Sequence, residues 1–130
     1  MRLLRIENDG DFSLVVRSGS DIPPYAILSH TWGADEDEVT FKDWNDRTAK
    51  TKVGYDKIRS CGEQAAKDGL HHFWIDTCCI DKSSSAELSE AINSMYLWYQ
   101  AADVCYAYLS DVPSKKSFSS SKWFSGHSKS

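Results

Sequence analysis

Residues 72–83 read HFWIDTCCIDKS: a compact aromatic run, two adjacent cysteines between two aspartates, then the start of a serine run. The patterns on either side of this stretch decide the fold. Upstream, YDKIRSCGEQAAKDG places Ile58, Cys61, Ala65 and Ala66 at helical spacing, and Gly69 suits the left-handed residue that closes a helix. Downstream, Ser84 and Glu87 have capping-box spacing, and Leu88, Ile92, Met95 and Tyr99 recur along one stripe, which predicts a helix over residues 85–101. An apolar run held between two helices, HHFWID, is expected to be a strand.

Two further strands complete the pattern. Pro23 and Pro24 fix an extended entry into YAILSH at 25–30, and VCYAYLS at 104–110 is apolar on both alternating faces, as a central parallel strand would be. Strand, helix, strand, helix, strand implies right-handed crossovers and an α/β domain whose central parallel sheet is flanked by helices. Ahead of it, LLRIE and FSLVVR around NDGD predict an N-terminal β-hairpin over residues 2–17. TWGADEDEV reads as an acidic loop.

Composition excludes several classes. The 41% apolar and 12% aromatic content supports a packed core, and 130 residues suit one domain better than two. A net charge of −4 offers no broad cationic face for phosphates, so nucleic acid is not an expected partner. No apolar run reaches the length of a membrane span, MRLLRIENDG is no signal segment, and the expected location is cytoplasmic. The four cysteines, Cys61, Cys78, Cys79 and Cys105, are then expected to be thiols.

Parallel α/β sheets bind ligands beyond the carboxyl ends of their strands. That rim would gather Ser29 and His30, Asp76 and Thr77, Ser110 and Asp111, with Trp32 beside it. Asp76 has two open readings, a turn cap or a ligand contact; for Asp81 capping leads; His30 alone reads as structural, and Trp32 as a cover for the sheet. Zinc is disfavoured, because neighbouring Cys78 and Cys79 on an extended chain point apart and converge poorly with His71 and His72, which are expected to face solvent. Redox work is disfavoured too, since a vicinal pair lacks the Cys-x-x-Cys spacing, so packing as small apolar groups is the expectation. A phosphate-binding glycine loop, a Gly-x-Ser-x-Gly elbow and a His-Glu-x-x-His zinc motif are all missing from the sequence.

The stretches PPYAILSHTWG, GYDKIRSCGEQAAKDGLHHFWIDTCCIDKSSSAELSEAINSMYLWYQAADVCYAYLSDV and SKWF closely resemble the fungal heterokaryon incompatibility (HET) domain. The resemblance implies a module that triggers programmed cell death after non-self recognition, working through protein partners or self-association. It also implies a layout similar to Toll/interleukin-1 receptor (TIR) domains, flavodoxin-like in its layering, some of which cleave NAD. After Trp-Phe the family carries a Gly-Trp-Thr-Leu-Gln-Glu-Leu-like segment whose glutamate aligns with the catalytic one of NAD-cleaving TIR domains; this chain reads WFSGHSKS and stops. The expectation is therefore a HET domain over residues 1–112, incomplete at its C-terminal end, with a Ser/Lys-rich tail over 113–130. No catalytic residue, cofactor or metal is assigned; an NAD-cleaving alternative would use the strand-end rim.

Overall fold

The computed structural model describes residues 1–30 and 35–108, with the side chains of His30, Asp35 and Tyr108 outside that description. The expected tail, Trp32, Ser110 and Asp111 therefore lie outside the described residues. The chain opens with the hairpin: β1 (Arg2–Ile6) runs antiparallel to β2 (Phe12–Val16), Arg2 facing Val16 and Ile6 facing Phe12. Gly10 sits at φ +86° in the turn, where the amide of Asp11 donates to Asp9 Oδ1 at 2.9 Å.

The remaining elements are β3 (Ala26–His30), α1 (Phe41–Asn45), α2 (Tyr55–Lys67), β4 (His72–Trp74), α3 (Ser85–Ala101) and β5 (Val104–Tyr108). They build one five-stranded sheet in the order β2-β1-β4-β3-β5. β3 pairs in parallel with both β4 and β5, while β1 meets β4 antiparallel, Leu4 facing Phe73. The sheet is thus mixed: a parallel set forms its core and the hairpin continues it on the β4 side.

β5 departs from expectation. Among the described residues it closes one end of the sheet, and β4 and β3 hold central places. Apolar residues on both faces of a strand report helices above and below it, not strands beside it. Val104 and Tyr106 are buried on one face, and Cys105 and Ala107 are half-covered on the other.

Alternation along β4 sends its two rings to opposite faces. Phe73 meets Phe12 edge-on at 5.2 Å on the α2 side, while Trp74 meets Trp98 of α3 at 5.5 Å. α2 comes close because Gly62 has no Cβ; one placed there would lie 2.4 Å from the Phe12 ring. Gly69 follows α2 at φ +84°, as its place in the sequence predicts. α3 spans the predicted 85–101, with the Ser84 hydroxyl accepting from the Glu87 amide at 3.3 Å. The Glu87 carboxylate does not close the reciprocal half of the box. It accepts instead from the Asp81 amide at 3.0 Å and pairs with Arg2, tying β1, the post-β4 loop and α3 together.

The stripe on α3 is rotated from the predicted one. Ala91 is its buried residue, flanked by half-buried Leu88, Met95, Trp98 and Tyr99, and Ile92 is 64% exposed. Alanine is a weak hydrophobic signal, yet its small side chain lets the helix backbone settle closest to the sheet there. Cys78 and Cys79 are buried as expected, but on a turn rather than a strand: the Cys79 amide donates to Ile75 O at 3.1 Å just after β4. His72, expected in solvent ahead of the strand, is the first residue of β4 and half-buried, with its Nε2 enclosed and unpartnered.

The segment between β3 and α2 is pinned from below. Glu38 is 3% exposed and its carboxylate takes Lys57 Nζ at 2.9 Å; Lys52 Nζ donates to Glu38 O at 3.1 Å and pairs with Asp43 at 2.9 Å. Gly54 permits this approach, since a Cβ there would lie 2.5 Å from Asp37 O. α1 then starts on a full capping box, Thr40 Oγ1 accepting from the Asp43 amide at 3.1 Å and the Thr40 amide donating back to Asp43 Oδ2 at 3.0 Å.

Candidate functional site

The parallel order β4-β3-β5 sets the carboxyl ends of these strands side by side, and the described part of that rim is built around Tyr99. Trp74 meets the Tyr99 ring edge-on at 6.4 Å, and the Tyr99 hydroxyl donates to Leu28 O at 3.5 Å. Ser29 and Asp76 both stand close enough to act on its titration. Burial first, then Cys105 and Asp76, push the Tyr99 hydroxyl up to about 12. At neutral pH it is therefore a donor on a rim where Ser29 is exposed and Asp76 half-buried.

Of the candidate site residues, Ser29 and Asp76 come together at Tyr99, and the backbone of His30 ends β3 beside Ser29. Trp32 and Asp111 lie outside the described residues. Asp81 lies in a different setting. Its Oδ1 accepts from the Ser83 amide at 3.1 Å and the Ser83 hydroxyl at 2.6 Å, hydrogen bonds that hold its carboxyl below the usual range. It lines a cleft of about 580 Å³ between residues 38–46 and 77–83, with Glu38, Phe41, Thr77 and Ile80 in the wall.

Tyr99 escaped the sequence reading because it counted as one more apolar residue of the α3 stripe. Its signal was position: near the C-terminal end of a helix that returns over the sheet, a phenol can reach a strand end. Arg2 and Phe41 were missed as well. The Arg2 guanidinium carbon stands 4.2 Å from the Phe41 ring centroid while the same side chain pairs with Glu87. Among the described residues no three His, Cys, Asp or Glu side chains converge as a metal site, and no helix is long and apolar enough to cross a membrane.

These features define a layered α/β domain with a hairpin-extended sheet and polar groups gathered at the ends of its parallel strands. Residues 25–129 match the family described as Heterokaryon incompatibility protein (HET), and the chain belongs to that family. It is 52% identical over 137 aligned positions to vegetative incompatibility protein HET-E-1 of Podospora anserina. That alignment covers 95% of this chain and 10% of the fungal protein, so the chain spans about a tenth of the length of this relative. No solved structure matches the chain.

Proposed function

We propose that this domain acts in fungal heterokaryon incompatibility, relaying non-self recognition to programmed cell death through contacts with other proteins, including further HET domains. The observation that carries the reading is the family match over residues 25–129, supported by the identity to a vegetative incompatibility protein. The outer side of α3, where Ile92, Tyr96 and Leu97 are 64%, 67% and 53% exposed, supports a role in protein contacts. A cytoplasmic location fits a module of this kind. The strand order β4-β3-β5, with α2 and α3 on opposite sides, supports a TIR-like, flavodoxin-like layering. Inducible expression in a filamentous fungus, scored for growth arrest and dye uptake, tests the role. The chain should arrest growth and a folded Ile92→Asp/Tyr96→Asp variant should not. Equal arrest by both removes the contact reading, and no arrest by either removes the role.

The gathering of Ser29, Asp76 and Tyr99 favours a second reading, cleavage of NAD at its nicotinamide bond. Such a reaction needs a carboxylate beside the cationic ribosyl transition state, as other glycosyl transfers do. On this rim Asp76 is the carboxylate that stands beside Tyr99. Nicotinamide release by purified protein, lost in Asp76→Asn, would establish it; a folded sample that releases none would end it.

A further inference from the structure

We propose that the cleft between residues 38–46 and 77–83 binds an uncharged, ring-bearing small molecule whose hydrogen-bonding head group is met by the Thr77 hydroxyl. This cleft adjoins the strand-end rim at Thr77, which follows Asp76 in the chain, and the inference does not rest on the incompatibility reading. Its volume of about 580 Å³ falls within the roughly 300–1,000 Å³ of small-molecule pockets.

Four observations set the ligand chemistry. Thr77 lines the cleft, is 3% exposed, and its Oγ1 is enclosed without a hydrogen-bond partner; the neighbouring Cys78 thiol, on which Thr77 acts, is only a weak acceptor. A buried hydroxyl in that condition is a cost that folded proteins rarely retain without a use. A ligand oxygen or nitrogen that reached this hydroxyl from the cleft would relieve the cost. Glu38, also in the wall, is neutralised by Lys57 at 2.9 Å, so the depth of the cleft holds no unbalanced charge to attract an ionised head group.

The walls are apolar where the body of a ligand would rest. Phe41 and Ile80 face the cleft, and the Phe41 ring is fixed from elsewhere by Arg2 at 4.2 Å. At the mouth the charges alternate: Lys42 pairs with Asp46 at 2.6 Å, and Asp81 is followed by Lys82. Mixed signs of this kind give no net field for an anion or a cation. A flat, uncharged ring with one polar end is the chemistry that fits.

Phenol and benzamide are the probes, with toluene as the control that lacks a head group. Amide shifts of the full chain should move at Phe41, Thr77 and Ile80 with phenol and benzamide, and far less with toluene. Thr77→Val should raise the melting temperature of the ligand-free protein, because it deletes an unpaired hydroxyl. It should also weaken phenol binding about five- to tenfold while leaving toluene unchanged, the loss of about one hydrogen bond. Equal binding of phenol and toluene by the wild type, shifts located elsewhere, or a lowered melting temperature in Thr77→Val would each overturn the proposal.

Discussion

The Glu38 carboxylate and the Lys57 ammonium lie 2.9 Å apart, with side chains 5% and 7% exposed, and their contact staples the segment after β3 to the first turn of α2. Removing one member of such a pair strands the other charge without water. Lys57→Met should therefore cost about 3–5 kcal/mol, whereas Glu38→Gln combined with Lys57→Met should cost much less. Urea midpoints of the single and double variants measure this, and equal losses would show that the charges do not act as a pair.

Gly62 is where α2 touches the sheet. A methyl group at this position would lie 2.4 Å from Phe12 and 3.2 Å from Phe73, so two edge-on rings would have to part. Alanine gains about 1 kcal/mol of helix propensity over glycine, but overpacking costs about 1–3 kcal/mol. Gly62→Ala should lower stability on balance, and Gly62→Ala with Phe12→Leu should recover part of the loss. A rise in the melting temperature of the single variant would contradict this packing.

How far the sequence could be read follows from particular residues. The hairpin, β3, α2, β4 and α3 were legible because each carries its own period and its own punctuation: Gly10 in the turn, Pro23 and Pro24 before β3, Gly69 after α2 and Ser84 before α3. Ile92 was misplaced because α3 is apolar on two sides, and a period of 3.6 residues fits a stripe through Ala91 as well as one through Ile92. α1 carries a legible Thr40-x-x-Asp43 signal just past the acidic stretch TWGADEDEV. The site was half legible. Strand ends can be counted along a chain, which located Ser29 and Asp76, but the arrival of Tyr99 from α3 and the Arg2–Glu87 tie depend on tertiary packing that no local pattern encodes.

Burial of phenols gives the fold an alkaline limit. Tyr25 is pushed up to about 12 by burial and then by Asp103, while its hydroxyl donates to Trp98 O at 2.6 Å. Tyr99 is likewise pushed up to about 12, and burial and the bond to Asp68 raise Tyr106. A pKa raised above the unfolded value of 10.0 means that the stabilisation is complete below that pH and is lost as pH rises toward about 12. Urea midpoints should fall over that interval, and Tyr25→Phe should flatten the fall. An unchanged slope would mean that this hydroxyl titrates freely in the fold.

On the acid side the first group to act should be His72. Burial, followed by Arg17, Arg5 and His71, lowers its pKa from the usual 6.5. A depressed pKa gives stability that is complete above 6.5 and declines as pH falls below it, because the unfolded chain takes up the proton first. The Glu7 carboxylate, lowered from 4.5 by Ser13 and then Arg5, contributes only at lower pH. The window between those two values therefore isolates the histidine among these groups. His72→Phe should remove the decline there, and a persisting decline would assign it to other residues.

The four thiols should separate by burial rather than by sequence. Cys61 and Cys78 are fully buried and burial pushes both well above the usual thiol range; Cys79 is 2% exposed. Cys105 is half-buried on β5, and burial raises it as well, but part of it meets solvent. A thiol reacts as its thiolate and only when reached, so a disulfide reagent at neutral pH should modify Cys105 first and the other three at the rate of chain opening. Cys105→Ser should remove the early phase and leave the slow one unchanged. Rapid labelling of Cys78 or Cys79 in that variant would show that the turn after Trp74 opens on its own, and the adjacent pair would then count as accessible chemistry rather than as packing.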